Sequence, residues 1–244
     1  DGAVAGKEEV QMSAAEIKQR IYALFAVFGV VIFFWMSFHQ NGYSLTYFAR
    51  DYVDLSVIKI DLGFTQIKGA EIFQSVNPMI VVFLTPLVMY VFGRLRAKGK
   101  EPSAPRKIAI GMGIAALAYV FLMVCSLGLP EQSTLGSMSE AAKHDMLLTP
   151  WVMVGMYFIL TMAELFISPL GLSFVSKVAP PHLQGVMQGA WLAATALGNS
   201  LLFIGGVLYT SVPLWACWLV FVGACAASMI TMLAMVKWLE RVAK

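Results

Sequence analysis

Charge is what this chain has least of. Only 13% of its 244 residues are Asp, Glu, Lys or Arg, against about 25% in soluble domains. With 59% hydrophobic residues and a mean hydropathy of +0.75, that scarcity excludes an ordinary soluble domain. Cysteine is also rare. Cys125, Cys217 and Cys225 all sit in apolar stretches with no C-x-x-C spacing, so neither a disulfide framework nor a metal site is indicated. Phosphate-binding loops, nucleotide-binding Gly-rich turns, zinc motifs, H-x-x-x-H pairs and paired aspartates are all missing, which removes the usual signatures of an enzyme or of cofactor chemistry. No signal-peptide pattern opens the chain. Residue 1 is Asp and the first twenty residues are polar and mixed in charge, so the sequence reads as a cytoplasmic leader, 1–20, cut from a longer protein.

Long uncharged runs fill the rest. They place membrane spans at about 21–49, 72–93, 108–127, 150–175, 183–209 and 214–238. The last two share a stretch, 178–236, that holds no Asp, Glu, Lys or Arg. It is too long for one span of about 20–25 residues, and the prolines at 180, 181 and 213 divide it. The expected fold class is an all-α membrane protein, a six-helix bundle over 21–240 whose obligatory partner is the lipid bilayer. Its net charge of +3 says nothing about nucleic acid, which is not an expected partner, because the charges sort by membrane side. Lys7, Lys18, Arg20, Arg94, Arg96, Lys98, Lys100, Arg106, Lys107, Lys177, Lys237, Arg241 and Lys244 fall on one side; Arg50, Lys59, Lys68 and Lys143 fall on the other. The first side is then cytoplasmic, with both chain ends on it. The basic 94–107 loop is also cytoplasmic, and the 50–70 and 128–149 loops are outside.

Glu164 stands alone. It is the only Asp, Glu, Lys or Arg from Met146 to Ser176. A carboxyl at mid-membrane costs roughly 3 kcal/mol or more, and such groups face a bundle interior or a watery cavity. The implied partner is a cation or a proton. Thr161, Glu164, Ser168 and Gly171 share a helical stripe, and Pro169 is expected to break that helix locally. Gln74 and Asn77 share a face of the second span, which Pro78 and Pro86 interrupt. Trp35, His39, Gly42 and Thr46 line one face of the first span. Gln188, Trp191, Thr195 and Asn199 do so on the fifth. An acid, amides and aromatics facing one centre suit a zwitterionic or cationic solute better than a bulk channel. A membrane assembly subunit is the alternative from a different class.

Four phrases carry a resemblance: Phe34-Trp35…Gln40-Asn41-Gly42; Phe73-Gln74-Ser75-Val76-Asn77-Pro78; Glu164-x-x-x-Ser168-Pro169-x-Gly171-Leu-Ser173; and Gly185-x-x-Gln188-Gly189-x-Trp191 with Gly198-Asn199. In content and order they resemble the C-terminal half, helices seven to twelve, of the proton-dependent oligopeptide transporters of the major facilitator superfamily. The resemblance implies a bacterial inner-membrane symporter for di- and tripeptides, with protons as the coupling ion and no cofactor. It implies that Glu164 holds the peptide amino group, that Asn77 assists at the same end, and that Trp191 lies near the cavity. With the stripe neighbours Ser168 and Gln74, these form the expected substrate-binding set. His39, Glu164 and Pro169 form the expected coupling and gating set; His39 stands where many members have an acid. The family's E-x-x-E-R phrase belongs to a first helix that is absent from this sequence, so the expected partner is a missing N-terminal six-helix half. A major-facilitator half for another solute is the nearest alternative.

Overall fold

The computed structural model describes residues 12–58, 60–61, 66–67 and 69–243; Lys7, Lys59, Lys68, Lys244 and most of the 1–20 leader lie outside them. Six helical segments are long and apolar enough to cross a membrane: Ala14–Tyr52, Ile72–Ala97, Ala104–Cys125, Trp151–Val178, Pro181–Ser211 and Leu214–Val242. The first is α1 (Ala14–Phe38), a 3-10 turn (His39–Gly42) and α2 (Ser44–Tyr52). Then come α3 (Ile72–Ala97), α4 (Ala104–Cys125), a short helix α5 (Glu140–Asp145) and α6 (Trp151–Val178). The fifth segment holds α7 (Gln184–Ser200) and α8 (Phe203–Ser211); α9 (Leu214–Val242) closes the chain. A two-residue hairpin, Ile60–Asp61 with Gln66–Ile67, is the only strand pair among the described residues.

Residues 14–20, mostly polar, are helical because they are capped and paired. The Ser13 hydroxyl accepts from the Glu16 amide at 3.2 Å, and Arg20 pairs with Glu16 at 3.1 Å one turn on. Arg20 also donates to the Val178 carbonyl at 3.3 Å, closing the end of α6. The outer loops are tied by a parallel bridge between Val53 and Leu148. Within 128–149, the Ser139 hydroxyl caps α5 by accepting from Ala142.

The prolines at 180, 181 and 213 mark span boundaries as expected, but those within spans behave differently from the sequence expectation. Pro78 and Pro86 lie inside an unbroken α3, and Pro169 inside an unbroken α6. Membrane helices tolerate proline where neighbours compensate for the lost bond. The true breaks fall at 39–43 and 201–202, and neither contains a proline. One side chain serves both. The Gln40 amide donates to the Met36 carbonyl and to the Leu202 carbonyl, each at 3.3 Å, and its oxygen accepts from the Ser44 hydroxyl at 2.8 Å. Gly205 is what lets Gln40 reach across: a Cβ there would lie 2.1 Å from the Gln40 oxygen.

The core lies where α4 packs between α9 and α6, with α1 against α9 and α7. Tyr119, Trp218 and Phe221 are fully buried at its centre. Their polar atoms are satisfied: Trp218 donates to the Ser126 hydroxyl at 3.0 Å, and the Tyr119 hydroxyl donates to the Ser37 carbonyl. By contrast, α3 packs chiefly on α6 and buries only Phe73 and Val88. Its basic end is held by charge. Glu101 receives Arg96 at 2.6 Å and Lys107 at 2.5 Å, and Lys107, nearly buried, also covers the Phe92 ring at 4.2 Å.

Hydrogen bonds from Arg96 and then Lys107 hold the Glu101 carboxyl down to about 2. A lowered carboxylate pKa stabilises the fold above the group's ordinary value, and that stabilisation is lost as pH falls through the lowered one. Glu101→Gln should therefore lower stability at pH 7 by about 1 kcal/mol, the range of a solvent-screened pair. The gap to the parent should shrink from about pH 4.5 downward. Thermal midpoints of the two proteins across that range check it; a gap independent of pH would exclude the ion pairs as its source.

Candidate functional site

The helix-on-helix contact between α3 and α6 carries the site. Asn77 stands just above Pro78 on α3, and Thr161 and Glu164 share one face of α6. The Asn77 amide nitrogen donates to the Thr161 hydroxyl at 2.9 Å and to a Glu164 carboxylate oxygen at 3.0 Å. Both amide hydrogens are thereby used, which fixes the amide and aims the carboxylate. Glu164 is half-buried. Among the described residues no Lys, Arg or His is paired with it, although six ion pairs form elsewhere. The site is thus an acid on a membrane-length helix, oriented by an amide and paired with no cationic side chain of the described residues.

Gln74, one turn above Asn77, donates to the Thr46 hydroxyl at 3.2 Å and ties α3 to α2. Phe73 stacks on Tyr157 at 6.5 Å, and the Tyr157 hydroxyl donates to the Asn41 carbonyl at 2.7 Å, satisfying backbone freed by the 3-10 turn. Ser168 is half-buried one turn below Glu164; Pro169 beside it is exposed and borders a cavity shared with α3. His39 does not continue a helical face with Gly42 and Thr46, because α1 ends at Phe38. Its ring lies 5.0 Å from that of Trp35, with Nδ1 3.0 Å from the Trp35 carbonyl. Neither a hydrogen bond nor a ring contact joins His39 to the Asn77–Glu164 pair among the described residues. Trp191 is 2% exposed. Its ring fills the space beside Gly171, where a Cβ would fall 2.1 Å from it, and meets Phe28 edge-on at 6.2 Å. It joins α7 to α6 and α1 rather than reaching the acid–amide pair.

Gln40 and Ser44 were not singled out as site residues by sequence. Gln40 was visible only as part of the Gln40-Asn41-Gly42 phrase, three polar or small residues inside an otherwise apolar run.

Six membrane-length helices, two of them broken, form one half of a major-facilitator-type fold. A sequence profile described as the POT family matches residues 3–231. The chain belongs to that family and corresponds to its C-terminal half. It is 29% identical over 182 residues to the peptide transporter YePEPT of Yersinia enterocolitica, a match covering 75% of this chain and 32% of that protein. It is 28% identical over 198 residues to the dipeptide and tripeptide permease B of Salmonella typhimurium, covering 80% and 36%. Both relatives are transporters rather than enzymes. A crystal structure of a peptide transporter POT in complex with sulfate has the same fold, with TM-score 0.77 at 24% identity, covering 96% of this chain and 43% of that one. A POT family transporter in complex with a thioalcohol-conjugated peptide gives TM-score 0.66 at 20% identity, covering 98% and 44%. The chain spans about a third of the length of the curated relatives it matches.

The Gly171–Trp191 contact makes a prediction about the scaffold. Gly171→Ala forces the indole to move and should cost about 1–3 kcal/mol. Adding Trp191→Leu should recover part of that loss, because the two positions share one space. Unfolding midpoints of the two single variants and the double variant test this; strictly additive losses would mean that the ring and the glycine are not coupled.

Proposed function

We propose that the chain is the C-terminal half of a proton-coupled symporter for di- and tripeptides, working with an N-terminal six-helix half. The observation that carries this reading is the Glu164 carboxylate, held by the Asn77 amide and paired with no cation of the described chain. A peptide brings the missing charge on its amino end. A proton can take the same place when the peptide leaves, so one carboxyl couples the two. In paired repeats of this kind the solute site lies between the halves near the midplane, and Glu164 and Asn77 sit midway along α6 and in the first third of α3. Trp191 and Gly171 keep α6 in register with α7, Gln74 holds α3 against α2, and Ser168 and Pro169 follow Glu164 on the same helix. His39, stacked on Trp35 at the helix break, is the gating position of the first span. The names of the relatives, which are dipeptide and tripeptide permeases, support the solute class, and their bacterial sources support an inner-membrane location.

In liposomes holding this chain together with the N-terminal half of the same transporter, an inward proton gradient should accumulate labelled dipeptide; the chain alone should not. Glu164→Gln keeps the shape and hydrogen bonding but loses the charge. Such a loss costs roughly 2–5 kcal/mol, so uptake should fall at least about thirty-fold at an unchanged thermal midpoint. Near-normal uptake by that variant would remove Glu164 from the peptide site.

The lysine and arginine distribution puts the 94–107 loop and both chain ends in the cytoplasm. In a background without the three native cysteines, Ser137→Cys should react with an impermeant thiol reagent in intact cells and Lys98→Cys should not. The reverse pattern would invert the orientation.

A further inference from the structure

The basic end of α3 borders a cavity that the transport reading does not use. Its volume is about 290 Å³, and it runs between α3 and α6 from Thr85 to Arg96. Val88, Phe92, Leu165 and Pro169 supply apolar walls, and Arg96, Lys107 and the Glu101 that pairs with both also line the cavity. Thr85 to Arg96 spans eleven residue-to-residue steps, or about 16 Å of helix. That is roughly half of a ~30 Å hydrocarbon core, the depth of one leaflet. The cavity therefore opens at the membrane surface and reaches toward the midplane.

Charge at the mouth selects the occupant. Residues 94–107 hold six Lys or Arg and one acid, Glu101. Arg96 and Lys107 share that acid, and Arg106 pairs with Glu240 at 2.8 Å. Arg94 lies over the Tyr90 ring at 5.0 Å. Lys98 and Lys100 are exposed and in no ion pair among the described residues. Lys98 and Lys100 lie on the loop beside the slot, outside its lining, and leave the basic end of α3 with surplus positive charge. Basic clusters where a span meets the surface attract anionic lipid headgroups, and basic pockets between membrane helices hold them.

We propose that this cavity is a binding site for one anionic glycerophospholipid of the adjoining leaflet. Its phosphate group meets Lys98, Lys100 and Arg96, and one acyl chain lies along Val88, Phe92, Leu165 and Pro169. The chain then fills the space beside Pro169, one turn from Glu164, and props the basic end of α3 against α6. The site requires only that the bundle be in a membrane, so it stands or falls apart from peptide transport.

The test uses the purified chain in detergent, with dioleoylphosphatidylglycerol and dioleoylphosphatidylcholine as probes. Native mass spectrometry reads bound lipid, and the thermal midpoint reads stabilisation. The parent should retain one phosphatidylglycerol in preference to phosphatidylcholine. Lys98→Gln with Lys100→Gln leaves the Glu101 ion pairs intact and should weaken phosphatidylglycerol binding by about 5-fold for each cation removed. Gly93→Leu narrows the slot without changing charge. A Cβ at Gly93 meets nothing within 4 Å and leucine suits a helix better than glycine, so the variant should fold while losing the retained lipid. Equal retention of the two lipids by the parent would overturn the proposal. So would a Gly93→Leu protein that holds phosphatidylglycerol as well as the parent does, because the basic loop would then be binding a bilayer surface and not a seated lipid.

Discussion

A bilayer core offers no hydrogen-bond partner, so the backbone polar groups inside a span must be satisfied by the chain itself. Gln40 is where two spans meet that requirement together. Breaking the first helix at 39–43 and the fifth at 201–202 frees backbone carbonyls in both. One amide takes the Met36 and Leu202 carbonyls, while its oxygen takes the Ser44 hydroxyl. The two breaks are joined through Gln40, whose amide reaches a carbonyl of each. Gly205 is required for the same reason, because a methyl group would stand where the Gln40 oxygen is. The breaks, their register and the direction in which α2 and α8 leave them follow from this single side chain.

The other spans divide the work of stability and of chemistry. The α4–α9–α6 core is apolar and aromatic, with Trp218 and Tyr119 bonded internally. α3 has almost no share in that core. It is held instead by three polar links along its length: Gln74 to Thr46, Asn77 to Thr161 and Glu164, and Arg96 to Glu101 with Lys107. Elements with few buried apolar contacts sit at the low-stability end of a structure. A helix fastened by exchangeable bonds can be released by changing one charge, whereas a helix fastened by packing cannot. Glu164 is one of the fastenings, so under the proposed transport function its occupancy and the seating of α3 are coupled through Asn77.

Much of this was legible in the sequence, for identifiable reasons. Uncharged runs revealed the spans because exclusion of charge from hydrocarbon is the strongest rule acting on them. Glu164 was legible by its isolation, and Asn77 by its place on a polar stripe. The breaks were not, because proline was read as the breaker and the actual breakers are hydrogen-bonding side chains, whose effect depends on a partner 162 residues away. Trp191 was read as a cavity aromatic. Its position beside Gly171 is a matter of packing shape, which spacing does not encode. The helical start of α1 was missed because polar residues 14–20 looked like a leader, although Ser13, Glu16 and Arg20 form a capped and paired first turn.

The choice of an amide as the partner of Glu164 is itself informative. A lysine or arginine at position 77 would orient the carboxylate equally well, but would form a permanent internal ion pair. Removing one partner of such a buried pair is costly, so an incoming cation would have to displace a bound one. An asparagine spends its two hydrogens on Thr161 and Glu164 and leaves the net charge of the pair at that of the acid alone. The carboxyl then has two ways to be neutral in the membrane, a proton or a cationic ligand. Each excludes the other at the same oxygen atoms. Competition between them needs no moving part. Under the proposed symport the rest of the bundle adds a change in which side of the membrane reaches Glu164, and α3, packed chiefly on α6, is the helix bonded to that acid through Asn77.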